Sequence, residues 1–141
     1  MASSFYWYDL ETSGTDPTWD RLVQVAGLRT DAELNVIGDE LCTYVRLGDD
    51  VLPNPDACLV TGILPETLQR EGIPEVQAWE EILRQFTVPE TCVVGYNSLR
   101  FDDEFVRYGL YRHLFDPYSR EWQNDCSRWD ILDLVRATGG L

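Results

Sequence analysis

The sequence predicts an α/β fold in which a mixed sheet, opened by three antiparallel strands, is flanked by helices. Three observations predict it. An aromatic, apolar run near the N-terminus stops at small polar residues (SFYWYDLETSG), a stretch of period-two alternation follows, and the second half carries helical spacings around one short, continuously apolar run. Three strands first, then helices around one further strand, suit a mixed sheet with helices packed against it. With 141 residues and 44% hydrophobic content the chain can bury one core, so a single domain is expected. No internal repeat, low-complexity segment or interdomain linker interrupts it.

SFYWYDLETSG reads as a buried strand ended by Gly14. RLVQVAGLRTDAELNVIGDELCTYVRL alternates apolar and polar residues around turn clusters at Thr30-Asp31-Ala32 and Gly38-Asp39, which predicts two further strands in a meander. GDDVLPNPDA, rich in Pro and Asp, is expected to be a loop. A short helix is predicted around LPETLQREG. A longer one covers PEVQAWEEILRQF, with Val76, Trp79, Ile82, Leu83 and Phe86 on one face and Pro89 closing the stretch.

ETCVVGYN has the pattern of a strand buried on both faces. FDDEFVRYGLYRHLF follows as a helix, in which Tyr108, Tyr111 and Phe115 fall at helical spacing and read as core, as does Trp129 further on. SRWDILDLVRATGG is predicted as the last helix, with Gly139 and Gly140 either a C-cap or a cut end.

No apolar run approaches the roughly 20 residues needed to cross a bilayer, and MASSFYWYDLE lacks a basic region and a cleavage site, so a cytoplasmic protein with no membrane partner is expected. Cys42, Cys58, Cys92 and Cys126 are well separated without a C-x-x-C pair. Cys58 and Cys92 sit in apolar runs, which argues against zinc and against a disulfide framework. The formal charge of −14 runs against a nucleic-acid partner, but it is unevenly spread: residues 1–99 carry a net −12 and residues 100–141 a net −2. Every basic residue is Arg, the side chain suited to bidentate phosphate contacts and to stacking on bases. The same bias fits a high-GC genome or a salt-adapted proteome, so it is not functional evidence.

Asp9 and Glu11 lie two apart on the first predicted strand, which puts both carboxylates on one face at its end. Two acids so placed repel each other and call for a counter-charge, and hard cations such as Mg²⁺ are held by carboxylates of this kind. The alternative is that the strand ends at Tyr8 and both acids are solvated. GYNSLRFDDEF places Asn97, Phe101, Asp102 and Asp103 at a strand–helix junction, where a carboxylate can reach the end of a neighbouring strand. From Arg107 to Arg136, Arg alternates with Tyr and Trp, the composition of a groove where guanidinium groups follow a single strand and bases stack on rings.

Together, YDLETSGTDP and GYNSLRFDDEF resemble the first two motifs of the DEDD superfamily of 3′ to 5′ exonucleases, which share the RNase H-like fold. Within it the chain looks most like bacterial exonuclease I, from about Phe5 to Leu141. RTDAELNVIGD, LPNPDACLVTGILPE, FTVPETCVVGYNSLRFDDEF and YRHLFDPYSREWQNDCSRWDILDLVRA carry the match.

The resemblance implies a Mg²⁺-dependent 3′ to 5′ exodeoxyribonuclease acting on single-stranded DNA in repair and recombination. Two metal ions, about 3.5–4 Å apart in such sites, are its cofactor, with Mn²⁺ able to substitute. It makes Asp9, Glu11 and Asp102 catalytic metal ligands and leaves Asp103 as an acid favouring the helix dipole. It places Arg107, Tyr118, Trp122 and Arg136 against the strand, and Leu10, Glu11, Thr12, Ser13 and Gly14 against the terminal nucleotide. The implied partners are single-stranded DNA and a single-strand-binding protein, with the enzyme a monomer.

One part of the family pattern is missing. The His-containing branch uses a His followed about five residues later by an Asp, as general base and last metal ligand. Here the only histidine, His113, lies in the second-motif helix with Asp116 three residues on, and it reads as a surface or packing residue. Residues 1–141 are therefore expected to be the N-terminal part of one exonuclease domain, with the first two motifs only and inactive alone. Other readings are a proofreading or RNA-trimming member of the superfamily, or a non-catalytic single-strand-binding module of the same fold.

Overall fold

The computed structural model describes residues 2–139, so Gly140 and any cap it makes lie outside the described residues. The first strand, β1 (Ser4–Thr12), buries Ser4, Tyr6, Tyr8, Leu10 and Thr12 on one face and turns Phe5, Trp7, Asp9 and Glu11 to the other. It forms an antiparallel meander with β2 (Leu22–Asp31) and β3 (Val36–Arg46). Asp31 closes the β2–β3 hairpin by accepting from the amides of Glu33 and Asn35. Gly38 and Asp39 are not a second turn: they sit inside β3, where Gly38 at φ +75° accompanies a shift of register against β2. A bulge and a turn call on the same residue types, so glycine alone does not separate them.

The rest of the chain runs α1 (Pro55–Thr61), α2 (Pro65–Glu71), β4 (Ile73–Pro74), α3 (Glu75–Phe86), β5 (Thr91–Gly95), α4 (Asp102–Arg112), β6 (Ser127–Asp130) and α5 (Ile131–Gly139). The six strands lie in the order β4-β3-β2-β1-β5-β6. β5 runs parallel to β1, and β6 parallel to β5.

Three of these elements depart from the sequence prediction. Strand β4 stands where the longer predicted helix was to begin, because Ile73 and Pro74 pair with Val45 and Arg46 of β3. Helix α1 begins inside the expected loop. Asn54 caps it by accepting from the Asp56 amide, Pro55 occupies its first turn, and Gly62 closes it in the left-handed conformation. Strand β6 replaces the first turn of the last predicted helix, because SRWD pairs along β5 before the helical spacing of ILDLVRA begins.

The core lies between the sheet and α3–α4. Tyr6, Tyr8, Leu10, Val25 and Val93 meet Ala78, Trp79, Ile82 and Phe86 of α3 and Phe105, Val106 and Leu110 of α4. Phe86 meets Tyr8 edge-on, with centroids 5.0 Å apart at 67°. Burying such a side chain contributes about 1.5–3 kcal/mol. The buried face of α3 takes Ala78 rather than Val76, which is exposed. Gly109 lets α4 approach α3, since a Cβ there would fall 2.1 Å from the Trp79 ring.

Three aromatics expected in the core are outside it. Tyr108, Tyr111 and Trp129 are exposed, because α4 turns Phe105, Val106 and Leu110 inward and Trp129 sits on edge strand β6; Phe115 does pack against the core. All four cysteines are free, with Cys92 and Cys126 buried. Among the described residues no helix is long and apolar enough to cross a membrane.

Candidate functional site

The site is built at the end of the sheet where β1 and the parallel strands β5 and β6 finish. β1 continues beyond its last pairing with β5, Trp7 with Val94, and this overhang carries Asp9 and Glu11 on one face. The loop after it is held from within. The Ser13 hydroxyl donates to Asp20 at 3.0 Å and accepts from the Arg21 amide at 2.9 Å, while the Thr12 hydroxyl donates to the Gly14 carbonyl at 2.7 Å.

Asp102 arrives from the other side as the first residue of α4. Asn97, in the left-handed region at φ 56°, and the 3-10 turn Ser98–Arg100 redirect the chain between β5 and that helix. Asp102 is only 5% exposed. Burial, then Asp9, then Glu11, with further effects from Asp103 and Asp130, push its carboxyl up to about 7. Glu11 is raised in the same direction by burial and by Asp9. Asp9 and Glu11 of the predicted ligand set thus both act electrostatically on Asp102, as carboxylates sharing one site do.

Among the described residues, however, no three His, Cys, Asp or Glu side chains are gathered tightly enough to hold an ion as placed. The donor set itself fits a hard divalent cation: it is all oxygen, it is acidic, and its mutual repulsion is relieved by positive charge.

Asp103, the next residue, has the opposite surroundings. It is 3% exposed and accepts from Arg120 at 2.5 Å and from Arg128, with Arg107 at 3.7 Å. Its role is a buried ion-pair hub rather than a helix-dipole acid alone. Arg120 is itself 3% exposed, with its guanidinium 5.5 Å from the Phe86 ring centroid.

A cleft of about 380 Å³ opens beside Glu11 and Thr12, walled by Asn54, Ala57 and Val60 and floored by Phe101. The predicted contacts of Leu10, Glu11, Thr12 and Gly14 all border it. A second groove, of about 450 Å³, runs along α4 between Arg107, Tyr108, Tyr111, Pro117 and Tyr118. Arg107 lies over the Tyr118 ring at 5.5 Å and pairs with Glu104 and with Glu121 at 3.3 Å. Tyr118, Trp122 and Arg136 are exposed, and Trp122 does not line this groove. His113 stands 3.5 Å from Glu75, away from the acids.

Sequence reasoning missed Asp20 and Asp130. The latter carried a signal, an Asp directly before an amphipathic run, which marks a helix N-terminus.

The site has close relatives. Exodeoxyribonuclease I of Haemophilus influenzae is 48% identical over 138 residues, which cover 98% of this chain and 29% of that protein. The solved structure of Escherichia coli exonuclease I in complex with a dT13 oligonucleotide superposes with a TM-score of 0.93 at 49% identity, over 96% of this chain and 29% of that one. The zinc-ion-bound form of an E. coli ExoI–ssDNA complex gives 0.94 at 48% identity, over 97% and 30%. The chain spans about three tenths of the length of these relatives. The RNase_T family, described as exonuclease, matches residues 6–140, and the chain belongs to that family.

Proposed function

We propose that the protein containing this chain is a 3′ to 5′ exodeoxyribonuclease that removes nucleotides from single-stranded DNA with two divalent cations, Mg²⁺ or in its place Mn²⁺. The reading extends to a monomer working in the cytoplasm in DNA repair and recombination, alongside a single-strand-binding protein. Asp102 carries the proposal. A buried carboxyl within the field of Asp9, Glu11, Asp103 and Asp130, and raised to about 7, is poised for a cation that none of the described residues supplies.

Asp9, Glu11 and Asp102 would hold the ions, which when bound supply Lewis-acid stabilisation and an activated water for in-line attack on the terminal phosphodiester. The cleft between the β1 end and α1 receives the terminal nucleoside, with Leu10, Thr12 and Gly14 along one side and the buried Ser13 behind them. Tyr118 and Trp122 offer rings to the bases that follow, and Arg107 and Arg136 offer charge to the backbone. Residues 1–141 supply the first two motifs of the domain. They contain no His with an Asp five residues on, so the general base is not assigned to any of them.

The test uses the longest natural polypeptide containing residues 1–141, with 5′-labelled single-stranded DNA and a matched RNA. Stepwise shortening of the DNA in Mg²⁺, abolished by EDTA and by Asp9→Ala, is the expected result. Faster loss of the RNA would point to an RNA-trimming enzyme, and strand binding without cleavage to a binding module. Residues 1–141 alone are expected to be slower by at least about 10²-fold, since general-base catalysis contributes on that order.

A further inference from the structure

Asp130, the last residue of β6, is 6% exposed, and among the described residues it has no cationic partner. Three backbone amides stand in for one. Oδ1 accepts from Asn97 at 2.8 Å and from Leu132 at 3.0 Å, and Oδ2 accepts from Leu99 at 3.1 Å.

The Leu132 bond caps α5 and is local. The other two reach more than 30 residues back, to the left-handed Asn97 and to the 3-10 turn that follows it. That turn ends on the Phe101 amide donating to Ser98 at 3.3 Å, and Asp102 is the next residue. A carboxylate fixed on a strand therefore holds both amides of the bend that delivers Asp102 to the β1 acids. With three amides on its two oxygens, Asp130 is engaged by backbone and is not free to ligate an ion as Asp102 is.

We infer that Asp130 is a positioning residue: it fixes the β5–α4 bend so that Asp102 faces Asp9 and Glu11, and it touches neither cation nor DNA. The inference rests on the metal-dependent reading proposed above. Partners of this kind, one step removed from a metal, change affinity by about 10–100-fold when removed.

The test compares Asp130→Asn, Asp130→Ala, Asp102→Asn and the surface control Asp133→Ala in the full-length protein. Mn²⁺ affinity is read by electron paramagnetic resonance, and kcat and KM on single-stranded DNA are read separately. Asp130→Asn keeps one acceptor oxygen, so its Mn²⁺ affinity should fall between wild type and Asp102→Asn. Asp130→Ala should weaken Mn²⁺ binding by about tenfold or more and lower kcat with little change in KM. Asp133→Ala should match wild type.

If Asp130→Ala does not fold, Asp130→Asn decides. Affinity equal to wild type would show the bend holds without the carboxylate, and affinity equal to Asp102→Asn would make Asp130 a ligand; either overturns the inference. A wild-type protein with no Asp102-dependent Mn²⁺ binding would remove the metal-dependent reading itself, which is a distinct result from an unaltered Asp130→Asn.

Discussion

Asp102 and Asp103 are neighbours in sequence, begin the same helix and are both buried, yet their surroundings differ in sign. Around Asp102 stand Asp9, Glu11 and Asp130; around Asp103 stand Arg107, Arg120 and Arg128. A buried charge needs a partner, and Asp103 has three within the chain. Among the described residues Asp102 has none, and on the reading proposed above an external cation would take that place.

The largest expected effect separates the two by function. Asp102→Asn should lower Mg²⁺-dependent hydrolysis by the full-length protein by several orders of magnitude without lowering its melting temperature, because it removes a like-charge interaction. Equal losses of rate and of stability would break the contrast. Next comes Asp103→Ala, which strands the buried Arg120 guanidinium. Removing one partner of a buried pair costs about 3–5 kcal/mol, and denaturant unfolding should show it.

The third expected effect is a pH dependence in the metal-free protein. Asp102 titrates near 3.8 when unfolded and at about 7 when folded. Its neutral form therefore contributes stability that is fully present below about 4 and is lost as pH rises through about 7. Thermal melts in EDTA should show this fall in wild type and a flatter profile in Asp102→Asn. Saturating Mg²⁺ should reverse it, since binding to the folded state requires the ionised acids.

Much of this was legible in the sequence because it is local. Two residues of separation on a strand fix a shared face, so Asp9 and Glu11 could be paired from spacing alone, and the apolar run at Cys92–Val94 identified a strand buried on both faces. Asp102 could be placed beside them only through the family motif, since nothing local says which strand end a helix start will reach. Distance along the chain hid the rest. The arginines that neutralise Asp103 lie 4, 17 and 25 residues away. Tyr108 and Tyr111 have core spacing but face a groove, because helical period gives the angle between residues and not the direction of the core.

Helix α1, one wall of the cleft beside Glu11, has no buried residue. It is held by its own caps and by backbone bonds such as Asn54 to the Ser13 carbonyl at 2.7 Å. Its amides are expected to exchange faster than those of the Trp79–Phe86 core, since no buried side chain opposes its opening. On the exonuclease reading proposed above, a wall of this kind would yield to purine and pyrimidine alike without disturbing the acids beside it.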